Sequence, residues 1–527
     1  MPGGLMNLAS YGQQNVILNG NPSKTFFKST YAQHTNFGLQ KFRVDFAGLK
    51  TLRLTEESTF VFKIPRYADL LMDTYISFNL PHIWSPIYSA TETTDSIPYE
   101  FRWIDNIGAK MISRVSITCG NQTLQEFTGD YFLASVQRDY TVDKRELFNR
   151  MIGHTPDLTD PTNGTGRNSG IYPSALYTDN IAGAEPSIRG RTLYIPLNAW
   201  FSMKSQMAFP LTSLQYNELH ITITFRPIRE LFSIIDVQDV ANNFPRVAPN
   251  INQMYMQFYR FLQSPPTYVI NGTDTEWLDK RILWDTDIHL NCTYCFLSRD
   301  EAKLFALQEQ KYLFKQVVET KLYNLTGASK TDIKSLGMVA DYLFYFQRSD
   351  IKDRNEWSNY TNWAHINEIP QDIHLSNLEF TTGIQNVQNV RPILVSMGLL
   401  LDGVYRENVQ PVGVYNLIEK YSRTSGNAPD GLYCYNFCLN SNSQEMQPSG
   451  AINMSRFNQV ELEFLTISPP LNTTVQTTAF CDSTGTIIGI SKPNWRTYNY
   501  NYDCTIFEER FNMITFIGGN CGLMYAT

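Results

Sequence analysis

Short stretches in which apolar and polar side chains alternate recur along the chain. Glu218–Phe225 is the clearest, because every second residue from Leu219 onward is apolar. A period of two is typical of a strand with one face in a core and the other in solvent. The same alternation occurs in residues 42–46, 60–64, 76–80, 114–118 and 460–464. Their number and close spacing favour an all-β sandwich over alternating strands and helices.

Helical signals are few. The strongest covers Ser298–Val317, where Ser298 stands as N-cap and Glu301 completes the capping-box signature three residues later. Shorter helices are predicted over Asp130–Arg138 and Asp143–Met151. A chain with this balance of signals is expected to be mostly strand, with a few short helices.

These signals divide the chain into parts. The predicted parts are an N-terminal arm (1–24), a first β-unit (25–228), a connector or insertion (229–283) and a second β-unit (284–527). Two long stretches rich in turn-forming residues, 153–190 and 422–450, are predicted to be exposed loops. The first of them is our candidate for a surface projection.

Composition narrows the class of protein. Aromatic residues reach 13% of the 527 residues, a density that suits strands and broad contact surfaces. The 43 basic and 50 acidic residues give a net charge of −7, which argues against direct nucleic-acid binding. The N-terminus lacks the pattern of a signal peptide, and the longest apolar stretch, Ile393–Leu401, is too short to span a bilayer. These features predict synthesis and retention in the cytosol.

Two cysteine pairs are candidates for metal ligation. Cys292 and Cys295 form a C-x-x-C pair, and Cys434 and Cys438 lie one residue further apart. A structural zinc site normally takes its ligand pairs from closer in sequence, and both pairs stand in aromatic, strand-like surroundings. We therefore interpret them as buried thiols and predict no metal site.

Paired carboxylates offer a second kind of chemistry. Asp285 with Asp287, and Glu461 with Glu463, each fall on one face of a strand, as the acid pair of a glycosidase could. The simpler interpretation is the polar face of a strand or a charged edge that resists aggregation. The run Glu508–Arg510 is expected to be solvated. With no serine-hydrolase, zinc-protease or phosphate-loop motif, the sequence predicts neither catalytic residues nor a cofactor.

Specific motifs at both ends of the chain add to this picture. Leu18-x-Gly20-Asn21-Pro22 precedes Phe26-Phe27-Lys28, and Pro448-Ser449-Gly450 precedes Asn453-x-Ser455-Arg456. Between and after them, in the same order, come Trp284–Leu290, Tyr294–Phe305 and the glycine-rich tail Phe511–Ala526. Together these segments closely resemble the major capsid proteins of nucleocytoplasmic large DNA viruses. Asn15 departs mildly from the aspartate that is common in the family.

The resemblance implies a double jelly roll, which is two eight-stranded β-sandwiches in one chain with short helices and long loops. It further implies a homotrimer that forms pseudo-hexagonal capsomers in an icosahedral shell, with neighbouring capsomers, minor capsid proteins and penton proteins as partners. Contact with an inner membrane would be indirect. The chain would be assembled in the host cytoplasm and end in the virion, without enzymatic activity.

The family motifs are candidate assembly positions. Gly20–Pro22 is interpreted as a turn that leads into the first strand, with or without a role in assembly. Asn453 and Arg456 are expected to order a corner of the second unit by hydrogen bonds. The full set comprises Gly20, Asn21, Pro22, Phe26, Phe27, Lys28, Pro448, Ser449, Gly450, Asn453, Ser455 and Arg456.

Two other functions stay open at this point. A protein of the same fold could shape a membrane during assembly and then be discarded. A carbohydrate-binding β-sandwich could use the paired carboxylates and exposed aromatic residues. Asp285 and Glu461 would be the residues to test for the second alternative.

Overall fold

Two β-sandwiches make up most of the computed structural model. The structure describes residues 2–525 apart from 90–95, 167–169, 176–183, 241–243, 267–268, 271–276, 278, 283, 367–389, 446, 470–477, 482–485 and 492–499. Within this part of the chain, no helix is both long enough and apolar enough to cross a membrane.

The first sandwich has two facing sheets. One contains the strands Phe37–Asp45, His289–Leu297, Leu70–Asn79, Thr192–Pro196 and Phe209–Pro210. The other contains Ser58–Lys63, Leu219–Phe225, Ile112–Cys119 and Gln122–Phe127. Every second residue of Leu219–Phe225 is buried, as the alternation predicts. The rings of Phe78 and Phe225 lie 5.5 Å apart and join the two sheets through one core.

The strand His289–Leu297 completes the first sandwich. It is antiparallel to Phe37–Asp45 on one side and to Leu70–Asn79 on the other. The sequence places this strand in a second unit that starts at 284, whereas both of its edges are hydrogen-bonded within the first sheet. The return of the chain to pair with its own beginning is a non-local event, which local periodicity does not report.

The second sandwich follows. One sheet contains Gln310–Leu325, Tyr502–Ile517, Met338–Arg348, Leu432–Asn436, Ile452–Asn453 and Asn520–Leu523. The facing sheet contains Ala328–Asp332, Val460–Thr466, Leu394–Leu401, Val404–Tyr405 and Gln410–Pro411. Phe346 and Phe464 meet edge to face at 5.3 Å across the second core.

One sheet of the second sandwich, the one that contains Met338–Arg348, is buried on both faces. We call it the shared sheet. Along Met338–Arg348, Tyr342 and Phe344 face the second core, while Leu343 and Tyr345 join the core of the first sandwich. The strand is therefore buried almost without interruption. Because the two sandwiches share this packed interface, they form a continuous body rather than two beads on a linker.

The helices are short and lie between or outside the sheets. They are Gly3–Ala9, Gln13–Asn19, Ile107–Lys110, Gly129–Asp139, Val142–Met151, Pro156–Thr159, Arg299–Leu307 and Glu419–Arg423. The last is preceded by a short π-helix at Val414–Ile418. Single turns of 3₁₀-helix are Pro161–Asn163, Trp200–Ser202, Ser205–Met207, Leu211–Ser213, Ile228–Glu230, Met254–Met256, Phe258–Phe261, Ile351–Asp353 and Met454–Arg456.

The strongest predicted helix is too long. It begins after Ser298 as expected but ends at Leu307, and Gln310–Leu325 is a strand. That strand pairs along almost its whole length with Tyr502–Ile517. Cross-strand pairing therefore overrides the local helical signal. The two shorter predicted helices are confirmed as Gly129–Asp139 and Val142–Met151.

The connector packs beside the first sandwich in small sheets. These join Arg246–Val247, Phe232–Ile235 and Arg102–Trp103, and separately Val269–Ile270, Ile87–Ser89 and Ser96–Pro98. The strands Thr478–Cys481 and Ile487–Ser491 pair with each other and, among the described residues, with no strand of either sandwich.

The two predicted loops are partly packed. In 153–190, the Tyr172 hydroxyl donates to the Phe101 carbonyl at 2.6 Å and Ile188 bridges to Ile83. Residues 167–169 and 176–183 of this stretch lie outside the described part. In 422–450, Leu432–Asn436 is a fully buried strand of the shared sheet, so this stretch is not a simple exposed loop.

Candidate assembly surfaces and the joint between the sandwiches

The arm (residues 1–24) makes no core. None of the described residues in it is buried, although Gly3–Ala9 and Gln13–Asn19 are helical. The exposed segment continues to the first strand at Phe37. In it, Phe26 and Phe27 are fully exposed. Exposed aromatic side chains of this size mark a surface whose burial against another molecule is favourable.

The N-terminal motif forms a tight turn. Asn21 adopts a left-handed backbone conformation with φ 49°. A Cβ on Gly20 would lie 2.4 Å from the Val16 carbonyl oxygen, so glycine is required there. Pro22 and Lys28 are exposed. The turn ends the helix Gln13–Asn19, and the first strand begins only at Phe37.

In the second motif, Ser449 joins two chain segments by hydrogen bonds. Its Oγ accepts from the Asn440 backbone N–H at 2.9 Å and donates to the Asn440 carbonyl at 3.0 Å. Gly450 follows with φ 135°, and a Cβ there would lie 3.2 Å from the Phe437 carbonyl oxygen. Pro448 is exposed beside it.

Asn453 and Ser455 order the next turn. Asn453 Oδ1 accepts from the Ser455 backbone N–H at 3.1 Å, and Ser455 Oγ accepts from the Gly337 N–H at 2.8 Å. The Met454 N–H donates to the Gly337 carbonyl at 2.9 Å. These bonds anchor the corner to the start of a strand in the shared sheet. Arg456 ends the turn and is exposed.

A buried ion cluster joins the two sandwiches. We use this name for Arg138, Asp139, Lys315, Asp341 and Glu509. Arg138 lies on the helix Gly129–Asp139, which we call the bridging helix, and its side chain is 1% exposed. Its guanidinium donates to Asp139 on its own helix at 2.7 Å, and to Asp341 and Glu509 of the second sandwich at 2.9 Å and 2.8 Å.

Lys315 approaches the same carboxylates from a third strand. Its Nζ donates to Asp341 at 3.1 Å, to Glu509 at 2.7 Å and to the Ser441 carbonyl at 2.8 Å. Burial opposes ionisation of Glu509, but the charges of Arg138 and Lys315 outweigh it and hold its pKa well below the usual range. Burial, followed by repulsion from Glu509, raises the pKa of Asp341 to about 7.

A second set of buried charges crosses the same joint. Lys110 is fully buried and its Nζ donates to Asp130 at 2.7 Å and to the Tyr360 hydroxyl at 3.2 Å. Arg226 pairs with Asp130 at 3.2 Å and lies 4.4 Å above the Trp357 ring. Tyr360 and Trp357 follow the strand Met338–Arg348, so this contact also links first-sandwich charges to the second half of the chain.

The expectation that Glu508–Arg510 is solvated is wrong. All three residues are buried, because they lie in the middle of Tyr502–Ile517, which has partner strands on both sides. Glu508 pairs with Arg510, and Glu509 faces the bridging helix. Phenylalanines flank the run at both ends, and they were the available sign of a buried strand.

The candidate metal thiols lie in surroundings that disfavour the thiolate. Cys292, Cys295, Cys434 and Cys438 are buried. Burial raises the pKa of the Cys292 and Cys434 thiols to about 12, which disfavours the thiolate that metals bind. Among the residues that the structure describes, no group of three or more His, Cys, Asp or Glu side chains is arranged to hold a metal ion.

The paired carboxylates are engaged in ion pairs. Asp287 accepts from Arg43 at 2.7 Å and from Lys50 at 3.1 Å. Glu461 pairs with Lys330 at 2.7 Å, and Glu463 accepts from the Tyr405 hydroxyl. Glu461 and Glu463 lie on the strand Val460–Thr466 as predicted, whereas Asp285 and Asp287 lie before the strand His289–Leu297 and not on a strand face. The partners of Asp287, Glu461 and Glu463 support the simpler interpretation, in which these carboxylates are structural.

Comparisons with known proteins agree with this architecture. Residues 25–263 match the family described as "Major capsid protein N-terminus", and residues 301–521 match "Large eukaryotic DNA virus major capsid protein". The major capsid proteins of Phaeocystis pouchetii virus and of Paramecium bursaria Chlorella virus 1 are each 23% identical to the chain, over 564 and 533 residues. Each comparison covers 100% of both chains.

Solved structures share the fold. The PBCV-1 capsid, a quasi-atomic model, has a TM-score of 0.63 at 18% identity, covering 95% of this chain and 100% of that chain. The Faustovirus major capsid protein has a TM-score of 0.60 at 12% identity, covering 97% and 96%. The predicted double jelly roll is thereby confirmed. With both halves matched by family, the chain belongs to the major capsid proteins of large eukaryotic DNA viruses.

Proposed function

We propose that the chain forms homotrimeric capsomers that tile an icosahedral virus shell. The observation that carries this proposal is the shared interface between the sandwiches, with Arg138 buried across it. Two similar sandwiches held at a fixed angle present two similar wedges. Three copies then give six wedges around a closed three-fold axis, which suits a hexagonal lattice.

We further propose how the capsomer is connected. Its partners are neighbouring capsomers, minor capsid proteins and penton proteins, and contact with an inner membrane is indirect. The exposed arm and Phe26–Phe27 supply an apolar surface for one of these partners. Assembly takes place in the host cytoplasm, and the chain acts as a structural component without catalysis.

The mass of the purified protein in solution tests the capsomer. Light scattering after size exclusion is expected to give about 180 kDa, three times the chain mass of 60.5 kDa. A species that stays at 60.5 kDa across the accessible concentration range, with its native fold verified by circular dichroism, would contradict self-assembly into a trimer. If the mass is that of a trimer, electron microscopy of the particle shows whether its outline is pseudo-hexagonal.

A further inference from the structure

The side chains of the buried ion cluster are almost wholly out of contact with water, and the most exposed of them is Lys315, at 9%. Asp341 stands at its centre, on the face of the shared sheet that meets the bridging helix. Groups from each packed element face it. They are Tyr131, Arg138 and Asp139 on the bridging helix, Lys315 on Gln310–Leu325, Glu509 on Tyr502–Ile517, Cys434 on the strand Leu432–Asn436, and Cys438 just after that strand.

The charges of the cluster do not balance. In the described part of the chain it holds three carboxylates and two cations, all buried or nearly so. Full ionisation would leave one uncompensated negative charge among buried side chains, which is costly. A proton is the simplest counter-charge that such a site can take up.

Asp341 and Glu509 compete for the same two cations. Arg138 donates to both, at 2.9 Å and 2.8 Å, and Lys315 donates to both, at 3.1 Å and 2.7 Å. Asp139 has additional partners, because it also accepts from the Ser443 backbone N–H and hydroxyl at 3.1 Å and 2.8 Å. Glu509 also accepts from the Tyr131 hydroxyl at 2.9 Å. The proton is therefore best placed on Asp341, which accepts from Arg138 and Lys315.

We propose that the buried ion cluster binds one proton, held by Asp341, and that loss of this proton weakens the joint between the two sandwiches. The cluster then makes the rigidity of the double jelly roll depend on pH. This inference goes beyond the proposed capsomer and does not depend on it, since every group involved belongs to one chain.

The direction of the effect follows from linkage. Burial and then Glu509 raise the pKa of Asp341 from 3.8 to about 7, so the closed joint holds a proton between these pH values that an opened, solvated Asp341 releases. The joint is therefore most stable at low pH within this window, and it opens more readily as pH rises from about 4 to about 7. One proton changes the opening equilibrium by up to about tenfold per pH unit, and the effect levels off above about 7.

Hydrogen exchange of the purified full chain tests this, read by mass spectrometry from pH 5 to 8 and corrected for the intrinsic exchange rate. Peptides from the bridging helix and from Met338–Arg348 are expected to exchange faster as pH rises towards 7. Peptides from Ser58–Lys63 and Leu394–Leu401, strands outside the shared sheet that carry no residue of the buried ion cluster, serve as the internal reference. Equal pH dependence in both sets would overturn the proposal.

Two variants shift the effect in opposite directions. Asp341→Asn leaves two cations facing two carboxylates, so the pH dependence of the joint peptides should disappear. Lys315→Met leaves one cation facing three carboxylates, so proton binding should tighten and the levelling-off should move to higher pH. Asp332→Asn, at an exposed carboxylate of the second sandwich, is the matched control and should behave as the wild type.

The comparison also separates this cluster from other titrating groups. Burial, followed by repulsion from Glu356, raises the pKa of Asp105 to about 7 as well, but Asp105 is unchanged in every variant. The difference between the wild type and Asp341→Asn therefore isolates the cluster. If Asp341→Asn retains the wild-type pH dependence at the joint, the proposal is wrong. If that variant fails to fold, the wild-type comparison of joint and reference peptides still decides.

Discussion

Short polar side chains set the shape of the corner at Asn453. Its side chain accepts one backbone N–H, and Ser455 accepts another from the neighbouring segment. Asn453→Ala removes the first of these bonds, so we expect the free energy of unfolding to fall by about 1 kcal/mol. Chemical denaturation of the purified protein measures the change.

Arg456→Ala is the control for that corner. Arg456 is exposed at the end of the same turn, so its removal should change stability by less than about 0.5 kcal/mol. Equal losses in the two variants would mean that the Asn453 bond does not order the turn.

Lys110 is a buried charge on which the stability of the fold is expected to depend. It is fully buried against Asp130, and Lys110→Met would leave that carboxylate with Arg226 as its remaining cation partner. Removing one partner of a buried pair typically costs about 3–5 kcal/mol. We expect a correspondingly large drop in the thermal midpoint, measured at a fixed scan rate. Adding Asp130→Leu to the same chain should restore part of the loss, which a general packing defect would not allow.

The same site has a defined acid sensitivity. Burial opposes ionisation of Asp130, but Lys110 and then Arg226 outweigh it and lower its pKa from 3.8 to about 2. Its contribution to stability is therefore present above pH 3.8 and is lost as pH falls towards 2. In Lys110→Met this acid-dependent loss should be smaller, because less of the favourable interaction exists to be lost.

At the scale of elements, the C-terminal hairpin ties the second sandwich to the first. The Gln215 N–H donates to the Gly519 carbonyl at 2.9 Å. A Cβ at Gly519 would lie 3.0 Å from the Gln215 Cβ, whereas a Cβ at Gly518 has nothing within 4 Å. Both glycines have positive φ, 82° and 58°.

These neighbouring glycines make a matched pair. Gly518→Ala should cost only the backbone strain of a left-handed residue, about 1 kcal/mol. Gly519→Ala should cost more, because the added methyl group also presses on the first sandwich. Thermal unfolding of the two variants measures the difference, and equal midpoints would contradict close docking of the hairpin.

The clearest strand that periodicity predicted has one half-exposed face. Leu219–Phe225 alternates in sequence and in burial, so it could be found by inspection. Met338–Arg348 and Tyr502–Ile517 are buried on both faces, and their patterns carry little alternation. The helix after Ser298 was correctly started and wrongly ended, because its end depends on pairing with a strand some two hundred residues later.

The buried ion cluster could not be predicted from the sequence for the same reason. Arg138 and Glu509 are 371 residues apart and meet only when the sandwiches dock. Nothing local distinguishes Glu509 from a solvated glutamate except the apolar residues around it. By contrast, the corner at Asn453 was proposed from a resemblance to a family, and one of its hydrogen bonds, from the Ser455 N–H to Asn453, is local in sequence.

At the scale of the whole molecule, the arm contrasts with the joint. The joint is buried and charged, whereas the described residues of the arm carry exposed apolar side chains, including Leu8, Ile17 and Leu18 at 76%, 87% and 83%. Removing residues 1–24 costs no core contact, so the variant should fold and form trimers. It should assemble shells poorly, because the apolar surface for a neighbour or a minor capsid protein is lost.

Polar substitution tests whether assembly needs the apolar side chains of the arm or only its length. A chain with Ile17→Ser and Leu18→Ser keeps all residues but loses two of the most exposed apolar groups, and it should show the same assembly defect as the deletion. Trimer content by light scattering and shell yield by electron microscopy measure the two steps separately. Normal shells from the deletion variant would refute a role for the arm in assembly. Loss of trimers would instead place the arm within the capsomer, since a segment without buried residues in the single chain would then be buried between copies.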